Sequence, residues 1–186
     1  MQGNSLAFWD GRAMIFDASE ESDVLMDFLI YERNKLNTRL VDEFYESNVQ
    51  LDDIEEEVLE GMVNNKTSYF EIIEVDTNNF TVMLKDLINP HQPALKLMDL
   101  GLSQTAKIGM AIYSRALPVR DVYMTSGVSF GFDPFTKKKM LREVSFAKVK
   151  RNGKINSTDL FLLFHKRSKQ YGVDTVMLDL NSNTIL

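Results

Sequence analysis

Hydrophobic and polar positions alternate through the middle of the chain, over residues 66–133. Residues 69–75 are rich in β-branched and aromatic side chains, and residues 80–85 alternate in a similar way after a polar turn at residues 76–79. Two strand-like runs joined by a short polar turn predict a β-hairpin. Glycines and prolines divide residues 94–132 into further short apolar runs. Short strands at roughly even spacing predict a small barrel-like sheet of five or six strands.

Before the predicted barrel, apolar positions recur at helical spacing. A short polar residue followed by a carboxylate at residues 17–20 is typical of a helix start, and an amphipathic helix is predicted from there to about residue 47. A second helix, with five acidic residues in its first turns, is predicted over residues 51–63. An Asp-Gly pair at residues 10–11 lies between two apolar runs, which predicts a small N-terminal hairpin.

After the predicted barrel, two helices are predicted over residues 135–150 and 159–171, and residues 173–180 have the alternation of a closing strand. These patterns together predict an α+β protein, in which acidic helices, a central antiparallel β-barrel-like sheet and a basic helical part follow one another. The expected parts are residues 1–64, 65–133 and 134–186, packed into one compact unit.

The charge of the chain changes sign along its length. Residues 1–64 carry 16 acidic and 4 basic side chains, residues 65–132 carry 6 of each, and residues 133–186 carry 5 acidic and 11 basic ones, within a net charge of −6. Lysine and arginine side chains bind phosphates and supply most of the non-specific affinity of proteins for nucleic acid. The candidate nucleic-acid contacts are Lys137, Lys138, Lys139, Arg142, Lys148, Lys150, Arg151 and Lys154.

These basic residues have an alternative role, which is to dock onto the acidic helices of the same chain. If they form one exposed face, nucleic-acid binding is favoured, and if they pair with residues 52–57, it is not. The acidic residues are themselves explained by the macrodipole at a helix N-terminus, and their spacing is not that of a calcium-binding loop. Two isolated histidines give no paired-histidine motif, so no metal site is predicted.

Absent residue types and motifs narrow the function further. The chain has no cysteine, which excludes disulfides and cysteine-ligated zinc or iron–sulfur sites. It has neither the phosphate-binding nor the dinucleotide-binding glycine pattern, so no cofactor is predicted. Its N-terminus lacks the pattern of a secretory signal, and no apolar run reaches the ~20 residues that span a membrane. We expect a cytoplasmic protein without a membrane partner.

One catalytic motif lies in the strand-rich region. Residues 127–131 match the Gly-x-Ser-x-Gly pattern of a nucleophile elbow, which makes Ser129 a candidate nucleophile, and Asp159 and His165 follow it in the order of a hydrolase triad. That elbow needs a strand, a tight turn and a helix on a large sheet. Here the pattern lies in a strand-like stretch with little chain after it, so glycines at a barrel corner explain it better.

The middle of the chain resembles a known module. Residues 69–76, 82–87, 109–119 and 123–127 are similar to a small β-module of bacterial proteins that often carry an SEC-C zinc motif. The SEC-C motif cannot itself be present, because the chain has no cysteine. The resemblance covers about a third of the chain and implies a barrel-like middle, but it implies no activity and no catalytic residues.

The sequence predicts a cytoplasmic, non-enzymatic binding or regulatory protein whose ligand is unknown and whose partner could be another protein. The first alternative is an RNA- or ribosome-associated protein that uses the basic C-terminal part. The second alternative is a small hydrolase built on Ser129 or on a carboxylate-bound metal.

Overall fold

The computed structural model describes Leu6, Arg12, residues 20–34 and residues 36–173. Apart from Leu6 and Arg12, the predicted hairpin around Asp10 and Gly11 and the residues before the first helix lie outside the described residues, as does the greater part of the predicted closing strand. Val173 itself is described, and it forms an isolated antiparallel bridge with Gly131 of the sheet.

Three helices precede the barrel, and they are α1 (Glu20–Tyr31), α2 (Leu40–Glu46) and α3 (Asp53–Val63). Asp52 caps α3, because its carboxylate accepts from the backbone N–H groups of Ile54 and Glu55 while the Glu55 side chain accepts from the N–H of Asp52. This reciprocal capping box explains part of the acidic cluster at the start of the helix. The remaining carboxylates there favour the positive end of the helix dipole.

Two asparagines interrupt the helix that was predicted to reach residue 47. The backbone N–H groups of Leu36 and Thr38 donate to Asn34 Oδ1, at 2.8 and 3.3 Å, so one side chain satisfies the backbone of a turn. Asn37 has a φ of 64°, a left-handed conformation that asparagine tolerates. The prediction of one continuous helix is therefore wrong, since these local hydrogen bonds compete with the helix.

The middle of the chain forms β1 (Lys66–Asp76), β2 (Thr81–Asp86), β3 (Leu95–Met98), α4 (Leu100–Thr105), β4 (Ala111–Val119) and β5 (Val122–Phe132). The strands close into a barrel in the order β1-β2-β3-β5-β4, which confirms the predicted α+β fold with a small central barrel. Neighbouring strands are antiparallel except for β3 and β5, which are parallel where Leu97 pairs with Tyr123. This order, with a helix between the third and fourth strands, is that of the OB-fold, a five-stranded Greek-key barrel.

Two helices follow the barrel, and they are α5 (Pro134–Lys150) and α6 (Ser157–Tyr171). They begin where the sequence places capping residues: Asp133 accepts from the N–H groups of Phe135 and Thr136, and Asn156 accepts from the N–H of Asp159. Among the described residues, no helix has the length and apolar character needed to cross a membrane.

Two apolar cores meet at β4. Ile112 lies in the core inside the barrel, while Tyr113 lies in a second core between the barrel and helices α1, α5 and α6. The ring of Tyr113 stacks on Phe164 of α6, with centroids 4.3 Å apart. Because β4 is buried on both faces, it carries an almost continuous run of buried residues and holds the helices against the barrel.

Gly61 marks the point where α3 packs directly on β4. A Cβ added at Gly61 would lie 2.5 Å from the carbonyl oxygen of Pro118. In a free helix, Gly→Ala is stabilising by about 1 kcal/mol. At Gly61 this gain in helix propensity is opposed by the clash of the added Cβ with the Pro118 carbonyl.

We predict that Gly61→Ala lowers the free energy of unfolding by about 1–3 kcal/mol, because the backbone clash outweighs the gain in helix propensity. Urea denaturation measures the change, and Glu60→Ala, at an exposed position of the same helix, serves as the control. A Gly61→Ala protein more stable than the wild type would contradict the close packing of α3 on β4.

Candidate functional site

Helix α5 presents one exposed face that combines basic and apolar side chains. The residues of this basic face recur at helical spacing and are Phe135, Lys138, Lys139, Arg142, Phe146, Val149 and Lys150. Phe135 is 87% exposed, which is unusual for a large aromatic side chain. The single acidic residue of α5, Glu143, is half-buried and binds Arg167 of α6. The exposed surface of α5 therefore carries positive charge without compensating negative charge of its own.

The basic residues predicted as nucleic-acid contacts fall into two groups. Lys137 binds the carboxylate of Glu71 and donates to the carbonyl of Gly109 at 3.0 Å, and Arg151 binds Asp159. The others carry no salt bridge within the described part of the chain: Lys138, Lys139, Arg142, Lys150 and Lys154 are exposed, and Lys148 is half-buried.

The basic residues do not dock on residues 52–57, as far as the described residues show. Glu57 pairs instead with Arg120 of the β4–β5 turn. Two cations of the basic region lie over aromatic rings, with Lys139 Nζ 3.5 Å from the ring centroid of Tyr171 and Lys150 Nζ 4.7 Å from that of Phe146. These contacts order the lysines without neutralising them.

The N-terminal end of the basic face adjoins the outer surface of the barrel. Glu71 of β1 lies opposite Lys85 of β2, and the same Glu71 binds Lys137 of α5. From Glu71, β1 continues for five residues to Asp76, a length of about 17 Å. The outer surface of β1 and β2 thus connects the basic face with the β1–β2 turn.

An apolar cavity lies at that turn. It has a volume of about 500 Å³ and is lined by Phe80, Met98, Asp99, Leu100, Met124 and Thr125. We call it the Phe80 cavity. Phe80 is 45% exposed and has a φ of 55°, the left-handed region that a bulky side chain seldom adopts. The carbonyl oxygen of Phe80 accepts from the N–H of Asp99 at 2.9 Å, which ties the turn to the end of β3.

A second cavity, of about 420 Å³, lies between the start of β1 and the end of β2. Its buried acidic group is the carboxylate of Asp86, which accepts from Ser68 Oγ at 2.7 Å and from the N–H groups of Ile88 and Asn89 at 2.8 Å. The Asp86 carboxylate is therefore already satisfied by the loop that surrounds it. This cavity offers a ligand chiefly Lys66 and the exposed amide of Gln92.

Three ionised side chains form a buried cluster beside the barrel. Arg115 of β4 binds Asp27 of α1 at 2.9 Å and Glu32 at 3.1 Å, and the three residues are 4, 5 and 0% exposed. The hydroxyls of Ser157 and Thr158 each donate to Glu32 Oε2 at 2.8 Å. Since Ser157 begins α6, Glu32 also lies at the positive end of that helix.

Electrostatic attraction within the cluster keeps Arg115 charged despite its burial, as expected of ionised groups that stabilise a fold. Burial lowers the pKa of Arg115, but attraction to Asp27 and Glu32 outweighs it and raises the pKa above its usual value. Burial, with the charge of Asp27, raises the pKa of Tyr31 to about 12, and the Arg115 guanidinium lies 4.3 Å from the Tyr31 ring centroid. Neither of the two cavities described above is lined by Arg115, Asp27 or Glu32.

Ser129 lies inside strand β5, opposite Ser114 of β4, rather than at a turn from strand to helix. Its hydroxyl donates to Ser114 Oγ at 2.8 Å. Asp159 binds Arg151, and the ring of His165 lies 5.7 Å from that of Phe130. Within the described residues, no group of three or more histidine or acidic side chains is arranged to hold a metal ion.

No sequence pattern predicted a role for Phe80 or the ion cluster. The left-handed φ of Phe80 has no signature in the sequence, although the preceding polar turn at residues 76–79 was recognised. Arg115 had a usable signal, because it is a charged residue inside an otherwise apolar strand. A charge in such a place is buried only when it is paired.

A family model described as a family of unknown function (DUF7986) matches residues 3–178. The match covers the barrel, the flanking helices and both charged regions, but it carries no activity. No curated protein and no solved structure matches the chain. The resemblance of residues 69–127 to the SEC-C-associated module stays a prediction.

We predict that Arg115→Met lowers the free energy of unfolding by about 3–5 kcal/mol, because it leaves two buried carboxylates without their cation. Thr67→Val removes one hydroxyl that accepts from Arg115 at 2.8 Å, and we expect it to cost only about 1 kcal/mol. Chemical denaturation compares the two variants. Equal losses of unfolding free energy in the two variants would show that the ion cluster does not stabilise the contact between β4, α1 and α6.

His165 should make stability depend on pH. Burial, helped by Lys169 and opposed by Glu21, lowers the pKa of His165 from 6.5 to about 4. Between these two values the unfolded chain binds a proton that the folded protein does not, so stability is lost as the pH falls below 6.5. We expect the wild type to lose about 2 kcal/mol relative to His165→Gln between pH 7 and pH 5. The free energy of unfolding of both proteins is measured at each pH by chemical denaturation. An equal change in that free energy between pH 7 and pH 5 would refute the prediction.

Proposed function

We propose that this chain, which belongs to that family of unknown function, is a non-enzymatic protein that binds single-stranded RNA. The observation that carries the proposal is the basic face of α5, where cations and large apolar side chains are exposed together and the cations form no salt bridge within the described residues. Lysine and arginine neutralise phosphates, and exposed aromatic rings stack on unpaired bases. A duplex buries the faces of its bases, so the aromatic side chains favour a single strand.

The fold supports the same function by analogy. OB-fold barrels commonly bind oligonucleotides on the face of strands 2 and 3 and with the loops between strands 1 and 2 and strands 4 and 5. Here the Phe80 cavity lies where the β1–β2 turn meets the end of β3, and it has an exposed aromatic and two methionines in its wall. A fold alone does not determine a function, so the analogy is secondary to the basic face.

The geometry suggests the path of a bound strand. Phosphates would bind Lys138, Lys139 and Arg142, and the strand would continue along β1 and β2 to the Phe80 cavity, about 17 Å beyond Glu71. Such a strand holds roughly four or more nucleotides, which is within the site sizes of OB-folds. A cytoplasmic location is part of the proposal, because RNA is available there.

A protein partner is a second candidate, and the acidic helices favour it. Leu36, Phe44 and Ile54 are exposed on or beside α2 and α3, among the carboxylates of that region. Large apolar side chains exposed close together mark protein-binding surfaces, and a partner would bring these three into one interface. A partner for this surface would carry basic and apolar side chains.

We predict that the wild-type protein binds a fluorescent 20-nucleotide RNA with an affinity that falls steeply between 50 and 300 mM salt. Arg142→Glu should weaken binding about five- to tenfold at 50 mM salt and make the salt dependence shallower, and Lys138→Glu with Arg142→Glu should weaken it further. Arg33→Glu changes the charge by the same amount at an exposed position away from α5, and it should leave the affinity within about twofold.

Fluorescence anisotropy measures these affinities, and the same RNA as a duplex and as single-stranded DNA completes the comparison. Absence of RNA binding at low salt would exclude the proposed function. Equal effects of Arg142→Glu and Arg33→Glu would show that only net charge matters. Binding to anionic lipid vesicles without binding to RNA would assign the basic face to a membrane surface instead.

A further inference from the structure

Phe80 adopts a backbone conformation that its side chain does not favour. Five non-glycine residues of the described chain have positive φ, and three of them are asparagines, which tolerate this region. Arg120 is a fourth, in the β4–β5 turn. Phe80 is the remaining one, and a bulky residue in the left-handed region costs free energy that glycine or asparagine would avoid. Local stability therefore does not explain a phenylalanine here.

The surrounding turn holds Phe80 in this conformation. The carboxylate of Asp76 accepts from the N–H groups of Asn78 and Asn79, at 3.0 and 3.1 Å, and fixes the turn before it. On the other side, the Asp99 N–H donates to the Phe80 carbonyl at 2.9 Å. The backbone of Phe80 is therefore held on both sides, and its side chain remains 45% exposed while it lines the Phe80 cavity together with Met98.

The cavity has one polar edge. Asp99 Oδ1 accepts from the Leu102 N–H at 2.8 Å, and Asp99 Oδ2 accepts from Thr125 Oγ1 at 3.2 Å. An ionised carboxylate only accepts hydrogen bonds, and two oxygens offer about four lone-pair positions, so acceptor capacity remains at this edge. The walls formed by Phe80, Met98 and Met124 are apolar.

A ligand that fits both features is flat and apolar on its faces and donates hydrogen bonds from one edge. We infer that the Phe80 cavity is a base-binding subsite, in which one unstacked base of the RNA stacks on Phe80 and donates from its edge to Asp99. This inference rests on the proposed RNA-binding function. Guanine fits best, because two adjacent donors, N1–H and the N2 amino group, point from the same edge, whereas the single N3–H donor of uracil lies between two acceptors.

The negative charge of Asp99 disfavours a phosphate in the Phe80 cavity and favours a base that donates hydrogen bonds. A phosphate is repelled by Asp99 and is better placed on the basic face of α5 or near Lys96, which lies exposed on β3. A base carries no charge and gains from both the ring and the carboxylate. The two ends of the path therefore have different tasks: α5 holds the backbone, and the Phe80 cavity selects the base.

The test compares three ten-nucleotide RNAs: uridine throughout, uridine with one central guanosine, and uridine with one central abasic site. The wild type should bind the guanosine RNA about tenfold more tightly than the other two. Phe80→Asn should reduce binding of the guanosine RNA about five- to 100-fold while the melting temperature stays equal or rises, because asparagine relieves the backbone. A merely structural role of Phe80 would instead lower the melting temperature.

Two further variants sharpen the comparison. Asp99→Asn should keep the cap on α4 and the affinity for uridine RNA but remove the preference for guanosine, since an amide presents a donor as well as an acceptor. Phe44→Asn removes an equally exposed phenylalanine, 47% against 45%, from α2 and should leave RNA binding unchanged.

The outcomes separate this inference from the proposed function. If Arg142→Glu weakens RNA binding but Phe80→Asn does not, the protein binds RNA and the base-binding subsite is wrong. Equal affinities of the wild type for the three RNAs would overturn the subsite as well. If the wild type binds none of the RNAs at low salt, both proposals are wrong.

Discussion

The buried cluster of Arg115, Asp27 and Glu32 is the interaction on which the relative positions of the elements depend. It joins β4, α1 and the start of α6, which are distant in sequence. Ions removed from water are stable only when every partner is present, so the cluster is satisfied in one arrangement of these elements and costly in others. Because α5 packs with α6 and α1 in the same apolar core, the cluster also fixes where the exposed face of α5 stands relative to the barrel.

The acidic helix α3 and the basic helix α5, which carry much of the charge asymmetry of the sequence, contact different strands of the barrel. The acidic helix α3 packs on the end of β4 through Gly61, whereas α5 begins beside Glu71 on β1. The barrel between them carries little net charge, as its composition indicates. The acidic helix α3 and the basic face of α5 are thus attached to different strands of a neutral scaffold, although the two flanks do meet where Lys169 of α6 binds Glu21 of α1.

The sequence was informative wherever a local pattern determines the structure. Alternation and turns identified the barrel, and helical periodicity placed the starts of α5 and α6 within two residues of where they lie. Features set by tertiary contacts were not accessible in this way. Alternation shows one apolar face of a strand, but β4 is buried on both faces because helices cover its outer side. The break near Asn34 depends on side-chain hydrogen bonds that helical periodicity does not contain.

The candidate site likewise combines features that a local sequence pattern shows with features that only tertiary contacts determine. The eight basic residues were evident from composition, but their separation into paired and exposed members required the structure, since Lys137 meets Glu71 from 66 positions away. The Phe80 cavity combines residues from the β1–β2 turn, β3, α4 and β5, so no spacing in the sequence could reveal it.

Closure of the barrel limits how any partner can be recognised. Each of the five strands is hydrogen-bonded to a neighbour on both sides over at least part of its length, so none offers a full free edge. Pairing is least complete between β3 and β5, where Leu97 pairs with Tyr123 and β5 further along takes up Val173 through its bridge with Gly131. Where the strands are fully paired, an extended peptide cannot add main-chain hydrogen bonds to the sheet, which is how many binding proteins obtain affinity. Recognition on these fully paired parts resides in side chains, and its selectivity can consequently change one residue at a time while the scaffold stays the same. The pairing there also protects the sheet from edge-to-edge aggregation.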